Sequence, residues 1–370
     1  MFCLKSIFVV LYNWQRKRKL AILSELIFFH WSGLLWLLLA IASGLLSFAL
    51  VALIKQRFSQ QLLDLPNDRS SHTQPTPRGG GLGFAIAFAI ASLGAAITVR
   101  YFPAALSPGT SLTSFQVAIL ACWVVLAPLA LVGFLDDRWG LPAGVRYLVQ
   151  LAVAGVACFF FGPFPQPWLA GWGLPGQAIA IAIALIGFTA LVNFYNFMDG
   201  LDGLVAGVTV VQLGFLALFL HQPLFWLLVA ALLGFLCWNW SPAKIFMGDA
   251  GSTVLGAAVA ISLLSSPVST SQTWAALAIT LPLTADATYT LILRLSRGEN
   301  IFQAHRKHLF QRLQQSGWSH AQVALTYISI TAIFALSISF WGTLGAGLSV
   351  LAAAIAIGLA EVYLRLGIRN

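Results

Sequence analysis

The chain has 370 residues, of which 59% are hydrophobic and only 8% are charged, and its mean hydropathy is +0.87. Soluble domains carry about 25% charged residues, so this composition excludes a soluble globular protein and indicates a polytopic membrane protein. The net charge of +9 comes without a basic soluble domain, so it favours cytoplasmic loops and anionic headgroups over nucleic acid.

A bilayer-spanning helix needs about 20 apolar residues, and stretches of roughly this length recur along the chain. They predict an all-α bundle of about 10–11 transmembrane helices, forming a single domain over residues 33–370. Only a short break at 221–223 interrupts the apolar run 203–239, which predicts a tight helical hairpin. The predicted helices cover residues 33–54, 80–99, 115–134, 144–161, 177–194, 203–220, 223–239, 251–265, 274–293, 322–341 and 343–364.

The loops between these helices alternate in charge. Most Lys and Arg residues fall in one set of loops, whereas the opposite set carries essentially Arg100 alone. By the positive-inside rule the first set is cytoplasmic. Residues 1–32 form an N-terminal extension whose basic run 16–19 conflicts with the outside N-terminus that eleven spans imply. An interfacial segment, a re-entrant element and a start codon placed too far upstream all remain open.

Seven of the 11 carboxylates cluster in four short segments on the predicted cytoplasmic side. Acids at membrane depth are costly and mark function by default. A single acid in a loop is ordinarily a solvated loop end, but two of these segments are otherwise apolar and rich in glycine. The seven residues are Asp64, Asp68, Asp136, Asp137, Asp199, Asp202 and Asp249.

The first segment is the Pro- and Gly-rich loop 64–81, which carries Arg69, His72 and Arg78. These cations and the backbone N–H groups beside them could hold a phosphate. An ordinary topogenic loop would have the same composition, so the loop alone does not decide between the two interpretations.

The second segment, Gly133-Phe-Leu-Asp136-Asp137-Arg138, places adjacent carboxylates at a helix end. Adjacent acids repel each other unless a cation lies near them, and hard oxygen ligands suit Mg²⁺. A solvated helix terminus explains this segment about equally well when it is taken alone.

The third segment places Asn193, Asn196 and Asp199 three residues apart, which predicts that they share one face of a helix end. Asp199 and Asp202 are each followed by glycine, which allows close backbone approach to a ligand. Packing alone gives no reason for such a polar series within an apolar run. The segment therefore favours function.

The fourth segment, Lys244-Ile-Phe-Met-Gly-Asp249-Ala-Gly-Ser252, repeats this logic. A carboxylate flanked by glycines opens a helix whose N-terminus can hold an anion, and Lys244 lies close in sequence. This segment also favours function.

The last cytoplasmic loop, 294–321, interleaves His305 and His308 with the cations Arg306, Lys307 and Arg312. Such a series could bind a diphosphate, or it could form a basic interfacial helix. Asp286, within an apolar helix, is interpreted as a packing hydrogen-bonder rather than a proton relay.

Together and in this order, the five segments resemble those of the polyprenyl-phosphate N-acetylhexosamine-1-phosphate transferases, glycosyltransferase family 4, over roughly residues 33–320. The shared motifs are D-x-P-N-x-R with P-x-P-R-x-G-G, the Asp-Asp pair, N-x-x-N-x-x-D-G-x-D-G-L, F-M-G-D-x-G-S and the His-rich loop. The family's integral membrane enzymes include bacterial undecaprenyl-phosphate GlcNAc-1-phosphate transferases, so the resemblance implies a bacterial inner-membrane enzyme that starts O-antigen, capsule or cell-wall polymers.

The resemblance implies phosphoryl transfer, in which a UDP-N-acetyl amino sugar and undecaprenyl phosphate give a sugar–diphospholipid and UMP. Charge neutralisation and positioning do most of the work in such reactions. The resemblance assigns Mg²⁺, with Mn²⁺ as a substitute, to Asp249 with help from Asn196. It gives the role of orienting or deprotonating the lipid phosphate to Asp136 and Asp137.

The remaining implied contacts are with substrate. The resemblance directs Asp199 and Asp202 to the nucleoside side, and Arg306 and His308 to the sugar diphosphate. We predict that the wider substrate-binding set comprises Arg69, His72, Arg78, Asn193, Asp199, Asp202, Lys244, His305, Arg306 and His308. Membrane lipid is an expected partner, nucleic acid is not, and a homodimer is left open.

The chain departs from the family in the His-rich loop. GlcNAc enzymes usually end in Asp-Arg-x-His-x-His-His, where this chain has His305-Arg-Lys-His308-Leu-Phe310-Gln311. Loss of two imidazoles removes donors to sugar hydroxyls, which predicts acceptance of a 6-deoxy N-acetylhexosamine alongside GlcNAc. The alternative is that Phe310 and Gln311 face the bilayer interface and do not affect the choice of sugar.

The main rival function is an ion-coupled transporter, since intramembrane acids and Gly-broken helices also occur in carriers. A carrier should show internal repeats and acids in the middle of its helices. Here the acids cluster toward one side of the membrane and the sequence shows no repeat. A CDP-alcohol phosphotransferase would need an Asp-Gly-x-x-Ala-Arg run, which does not follow Asp199.

Overall fold

The computed structural model describes residues 33–58, 62–65, 74–103, 106, 111–266, 268–300, 303 and 305–367. The N-terminal extension 1–32 and the predicted site residues Arg69 and His72 lie outside these ranges. Within them, the chain is a helical bundle with one two-stranded sheet. This confirms the prediction of an all-α polytopic membrane protein.

Every predicted apolar stretch is helical. The helices are α1 Gly33–Phe58, α2 Gly80–Tyr101, α3 Leu112–Trp139, α4 Ala143–Phe161, α5 Gly173–Met198, α6 Leu204–Phe219, α7 Phe225–Asn239, α8 Asp249–Leu264, α9 Thr270–Leu277, α10 Leu281–Ser296, α11 Leu309–Gln315, α12 His320–Trp341 and α13 Thr343–Gly367. The predicted hairpin is present, because five residues, Leu220 to Leu224, join α6 to α7.

In the described part of the chain, eight helical segments are long and apolar enough to cross a membrane. Helices α6, α7 and α8 have only 15 or 16 residues, fewer than the ~20 that a lipid-exposed span requires. These three helices can be shorter because neighbouring helices, rather than lipid, cover most of their residues. Helix α8 packs against α2, α3, α4, α5 and α6, and every residue from Ala250 to Leu263 is buried.

Two features differ from the predicted elements. The helix expected over 274–293 is two helices, α9 and α10, joined by a 3₁₀ turn at Ala278–Thr280. Pro282 in the first turn of α10 has no N–H to donate back into α9. The short helix α11 lies in the loop 294–321, which we call the basic loop; a helix there was one of the two interpretations of its sequence.

The polar segments meet at one end of the bundle. Strand β1, Leu63–Asp64, pairs antiparallel with β2, Thr76–Pro77. The chain after β2 then bonds to the segment that leads into α8: the Phe246 N–H donates to the Pro77 carbonyl at 2.8 Å, and the Gly80 N–H donates to the Phe246 carbonyl at 2.9 Å. The ends of α3 and α5 reach the start of the same helix, α8, where Gly133 abuts Ala250 and Asn196 donates to Ser252.

Candidate active site

The site is centred where the end of α3 meets the start of α8. A Cβ atom on Gly133 would lie 2.5 Å from the Ala250 nitrogen, so only glycine allows the two backbones to approach this closely. The approach brings Asp137 to the first turn of α8. Its Oδ1 accepts from the Asp249 N–H at 3.1 Å, and its Oδ2 accepts from the Ala250 N–H at 3.4 Å. The anion predicted for the α8 N-terminus is therefore the protein's own carboxylate.

The second carboxylate of the pair, Asp136, has a different partner. Arg146 Nη1 lies 2.6 Å from Asp136 Oδ2 and 3.3 Å from Asp249 Oδ2, and so bridges the two acids. The Leu141 N–H donates to Asp136 Oδ1 at 2.6 Å. The cation expected near the acid pair is therefore Arg146, which the sequence prediction missed.

The two asparagines of α5 have separate surroundings. Asn196 hydrogen-bonds to Asp249 and donates to Ser252 Oγ at 3.1 Å, so it belongs to the site. Asn193 instead donates to Gln150 Oε1 at 2.6 Å and accepts from Gln150 Nε2 at 3.4 Å. A three-residue step turns a helix by about 300°, and here it is enough to direct Asn193 toward α4 while Asn196 faces α8.

Asp199 is partly buried where α5 ends. Burial, with the negative charges of Asp249 and Asp137 nearby, raises the pKa of Asp199 from 3.8 to about 8. The carboxyl group therefore holds its proton at neutral pH and can donate a hydrogen bond. Arg78 opposes this shift.

Asp202 has the opposite electrostatic behaviour. Burial acts to raise its pKa, but His320 Nδ1 at 3.3 Å and the Ala243 N–H at 3.0 Å hold the pKa of Asp202 below 3.8. This carboxylate is ionised and ties the loop after α5 to the start of α12.

Of the cations predicted to contact substrate, Arg78 lies at the site and Lys244 lies beside it. Arg78 Nη2 forms an ion pair with Asp64 Oδ2 at 2.6 Å, and the charges of Asp137 and Asp249 act on its guanidinium. Lys244 Nζ lies 5.6 Å from the centre of the Trp238 ring, a cation–π contact at an exposed position. Among the described contacts, the Lys244 ammonium group lies over Trp238 and pairs with none of the site's carboxylates.

The basic loop reaches the same end of the bundle. The rings of His305 and His308 lie 4.8 Å apart. Burial and the neighbouring His308 lower the pKa of His305 to about 4, so its ring is neutral at pH 7. Phe310 is fully buried, and a Cβ atom on Gly200 would touch its ring at 3.2 Å. The loop therefore packs against the residue after Asp199.

Phe310 and Gln311 do not face the bilayer interface, which was the alternative that the sequence left open. Phe310 is 0% exposed and Gln311 is 8% exposed. The Gln311 Nε2 atom would lie 3.6 Å from a Cβ on Gly200. Both side chains pack toward the loop between Asp199 and Asp202.

This arrangement has the chemistry of an anion-transfer site. Partly buried carboxylates and a carboxamide lie beside two guanidinium groups, so a divalent cation and a phosphate would each find groups of opposite charge. Sequence reasoning missed Arg146, Gln150 and His320. For Arg146 a signal existed: it is a lone cation near the start of an otherwise apolar stretch.

Comparison with known proteins agrees with this chemistry. The family model described as "Glycosyl transferase family 4" matches residues 119–266. A probable undecaprenyl-phosphate N-acetylglucosaminyl 1-phosphate transferase of Bacillus subtilis is 30% identical over 325 residues, covering 81% of this chain and 84% of that protein.

Two further relatives cover similar shares. A decaprenyl-phosphate N-acetylglucosaminephosphotransferase of Mycobacterium leprae is 31% identical over 333 residues, covering 80% of this chain and 82% of that protein. A phospho-N-acetylmuramoyl-pentapeptide-transferase of Shouchella clausii is 28% identical over 339 residues, covering 83% and 96%. All three are named as transferases, and two of the three names specify a polyprenyl phosphate.

Proposed function

Because this multi-pass membrane protein belongs to the polyprenyl-phosphate N-acetylhexosamine-1-phosphate transferase family, we propose that it transfers N-acetylhexosamine 1-phosphate from a UDP-sugar to undecaprenyl phosphate and releases UMP. The observation that carries the proposal is the convergence of Asp136, Asp137 and Asp249 with Arg146 at one end of the bundle. Relatives named for the same class of reaction support it.

In the proposed reaction, an oxygen of the lipid phosphate attacks the β-phosphorus of the UDP-sugar. The bond between that phosphorus and the bridging oxygen breaks, and UMP leaves with the bridging oxygen. A phosphomonoester has a second pKa near 6, so the attacking oxygen is largely ionised at pH 7 without a protein base. Asp136 is already bonded to Arg146, and Asp137 is bonded to the start of α8. Both acids then act by holding the site's geometry rather than by removing a proton.

Arg146 and Arg78 are the cations closest to these acids. A side chain that bridges Asp136 and Asp249 can exchange one carboxylate oxygen for a phosphate oxygen, because guanidinium groups bind both in the same forked geometry. Arg146 is 36% exposed on its side chain, so an incoming phosphate can reach it. We propose that it receives the lipid phosphate.

The residues present fit a magnesium ion at Asp249. Among the described residues, no three His, Cys, Asp or Glu side chains form a metal-binding group. Mg²⁺ in phosphate chemistry does not require one, because it is usually held by one or two carboxylates and the substrate's phosphates. Asp249 and the Asn196 carboxamide would hold the ion, with Mn²⁺ as a substitute. When bound, the ion would neutralise charge on the diphosphate.

An apolar cavity of about 430 Å³ supports a long isoprenoid acceptor. It lies between α5, the α9–α10 break and α13, and its lining includes Leu191, Phe194, Trp274, Leu281 and Val350. Phe194 lies next to Asn193 on the helix that leads to Asp199. We propose that the lipid chain occupies this cavity while its phosphate faces Arg146.

The proposed location is the bacterial inner membrane with the site on the cytoplasmic side, where UDP-sugars are made. The charge asymmetry of the loops supports it. In a variant lacking native cysteines, a cysteine at Ser241 should be protected from an impermeant thiol reagent added to intact cells, whereas one at Ser107 should react. Labelling of the Ser241 position from outside would invert this orientation.

The sugar is proposed to be GlcNAc or a 6-deoxy N-acetylhexosamine, for a step that begins O-antigen, capsule or cell-wall polymer synthesis. Relatives named for GlcNAc transfer support the first sugar. Phe310 and Gln311 stand where GlcNAc enzymes have imidazoles, and this replacement supports tolerance of the second.

The deciding experiment incubates the purified enzyme with undecaprenyl phosphate, Mg²⁺ and a panel of UDP-sugars, and measures UMP release. UMP should form only when lipid, metal and an N-acetylhexosamine donor are all present. Absence of UMP with every donor, together with ion-driven solute uptake into proteoliposomes, would favour the rival transporter function.

A further inference from the structure

Helix α10 carries a line of buried polar side chains that the proposed reaction does not use. Asp286, Thr290 and Arg294 follow one another at four-residue steps and are 3%, 1% and 4% exposed. Four-residue steps keep side chains on one helix face, so the three form a stripe about 12 Å long. Such groups are costly inside a membrane protein unless every one is paired.

Asp286, at one end of the stripe, binds the start of α11. Its Oδ1 accepts from the Leu309 N–H at 2.8 Å, and its Oδ2 accepts from the Phe310 N–H at 3.1 Å. Tyr327 OH donates to Oδ2 at 2.7 Å. The first N–H groups of a helix have no partner within it, so Asp286 satisfies two donors that would otherwise be buried and unpaired.

The Asp286 carboxylate also lies close to His308, one of the predicted substrate-binding residues of the basic loop. His308 Nδ1 lies 3.6 Å from Asp286 Oδ1, with both side chains buried. Thr290 Oγ1 donates to that oxygen at 3.2 Å and fixes its direction. A displaced Asp286 carboxylate would therefore lose its contact with His308, the residue before α11.

Arg294, at the other end of the stripe, holds the first half of the loop. Its Nε donates to Glu299 Oε2 at 3.1 Å, and its Nη2 donates to the carbonyls of Asn300 and Gln303, the latter at 3.2 Å. Glu299 Oε1 in turn accepts from Lys307 Nζ at 2.7 Å. Glu299, Asn300 and Gln303 thus gather around one buried guanidinium, and Lys307 joins them through Glu299.

We propose that Asp286 is a positioning residue for nucleotide-sugar binding, which it serves by fixing His308 and the start of α11 against the loop that follows Asp199. The inference rests on the proposed function for the identity of the substrate. A residue that only stabilised the fold would lower the active fraction of enzyme. A positioning residue changes the affinity of folded enzyme for one substrate and not the other.

The test compares Asp286→Asn with Thr331→Val in purified enzyme. Asparagine keeps the size of the side chain but loses the charge and presents an N–H to one of the two backbone donors. Thr331 lies one turn after Tyr327 on α12, is fully buried, and donates only to the carbonyl of Tyr327. Its change to valine therefore removes a buried polar group whose hydrogen bond stays within α12 and does not involve α11.

For Asp286→Asn we expect KM for UDP-GlcNAc to rise about tenfold, the size of a lost charge-assisted hydrogen bond. KM for undecaprenyl phosphate and kcat should change by less than about twofold, because the groups near Asp249 are untouched. Trypsin should cut after Arg306 or Lys307 faster than in the wild type. Thr331→Val should leave all of these values unchanged.

An unchanged KM for UDP-GlcNAc would overturn the inference. So would a fall in kcat that leaves KM unchanged for both UDP-GlcNAc and undecaprenyl phosphate. If Asp286→Asn does not fold, Tyr327→Phe removes one donor to the same carboxylate, and KM for UDP-GlcNAc should then rise about two- to threefold. An unchanged KM in that variant would overturn it as well. Failure of the proposed function is distinguishable, because wild-type enzyme would then release no UMP while the trypsin comparison still reported on the loop.

Discussion

The two sides of the candidate site are held in place by different kinds of contact. On one side, which we call the carboxylate wall, Asp136, Asp137 and Asp249 are fixed by the backbones of α3 and α8 in direct contact at Gly133. On the other, the described residues of the basic loop 294–321 are held by side chains of α10: Arg294 binds Glu299, and Asp286 binds the start of α11.

This difference predicts that the carboxylate wall tolerates little substitution, whereas the basic loop tolerates more. A wall set by backbone contact cannot shift without moving whole helices, because packed interiors have no spare volume. A loop held by side-chain hydrogen bonds can alter its sequence and shape while the helices stay in place. We therefore expect large effects from changes to the carboxylate wall and small, substrate-selective effects from changes in the loop.

The largest effect should come from Asp249→Asn. The change removes the charge that would hold the metal ion, so kcat should fall about a thousandfold. The melting temperature should stay near that of the wild type, and EDTA should abolish wild-type UMP release. Full turnover in EDTA, or a variant as active as the wild type, would exclude Asp249 as the metal ligand.

The next effect tests the backbone contact itself. Gly133→Ala places a methyl group 2.5 Å from the Ala250 nitrogen, so α3 must move away and Asp137 must leave the start of α8. The free energy of unfolding should fall by about 1–3 kcal/mol, with loss of activity.

The matched control for this change is Gly155→Ala in α4, where no atom lies within 4 Å of the new methyl group. It should be neutral or slightly stabilising, because alanine favours helix. Equal stability of the two variants in thermal or SDS unfolding would contradict a wall set by backbone contact.

A smaller effect concerns the pH dependence of stability. Burial, together with the charges of Asp249 and Asp137, raises the pKa of Asp199 from 3.8 to about 8. Between these two pH values the folded state binds a proton that the unfolded state has lost, so stability falls as pH rises through this range.

Asp199→Asn removes this titration. Its melting temperature should match the wild type near pH 4 and exceed it by about 4 °C at pH 8.5. Melting curves across this range measure the difference. A gap that is the same at every pH would show that Asp199 does not titrate in this way.

The smallest effect concerns the discrimination between two UDP-sugars at the basic loop. Phe310 replaces an imidazole of the GlcNAc enzymes and offers no hydrogen bond to a 6-hydroxyl, and a site without such a donor discriminates weakly. The ratio of kcat/KM for UDP-GlcNAc to that for a UDP-6-deoxy-N-acetylhexosamine should lie within about tenfold. A preference for UDP-GlcNAc above about a hundredfold would show that another residue recognises the 6-hydroxyl.

The sequence by itself determined the membrane class, the apolar helices and the segments that carry the polar residues. These follow from local properties: a helix in lipid must be apolar over its length, and a buried acid without function is rarely tolerated. For the same reason Asp137 and Asp249 could be singled out without knowing that they touch.

Only the tertiary structure decided how those residues are paired. Arg146 lies ten positions after Asp136 and more than a hundred before Asp249, and no local pattern predicts that it bridges them. Asn193 and Asn196 have the same chemistry and neighbouring positions, yet one faces α4 and the other α8. Partner choice depends on which helices come together, and that is set by packing across the whole bundle rather than by any one segment.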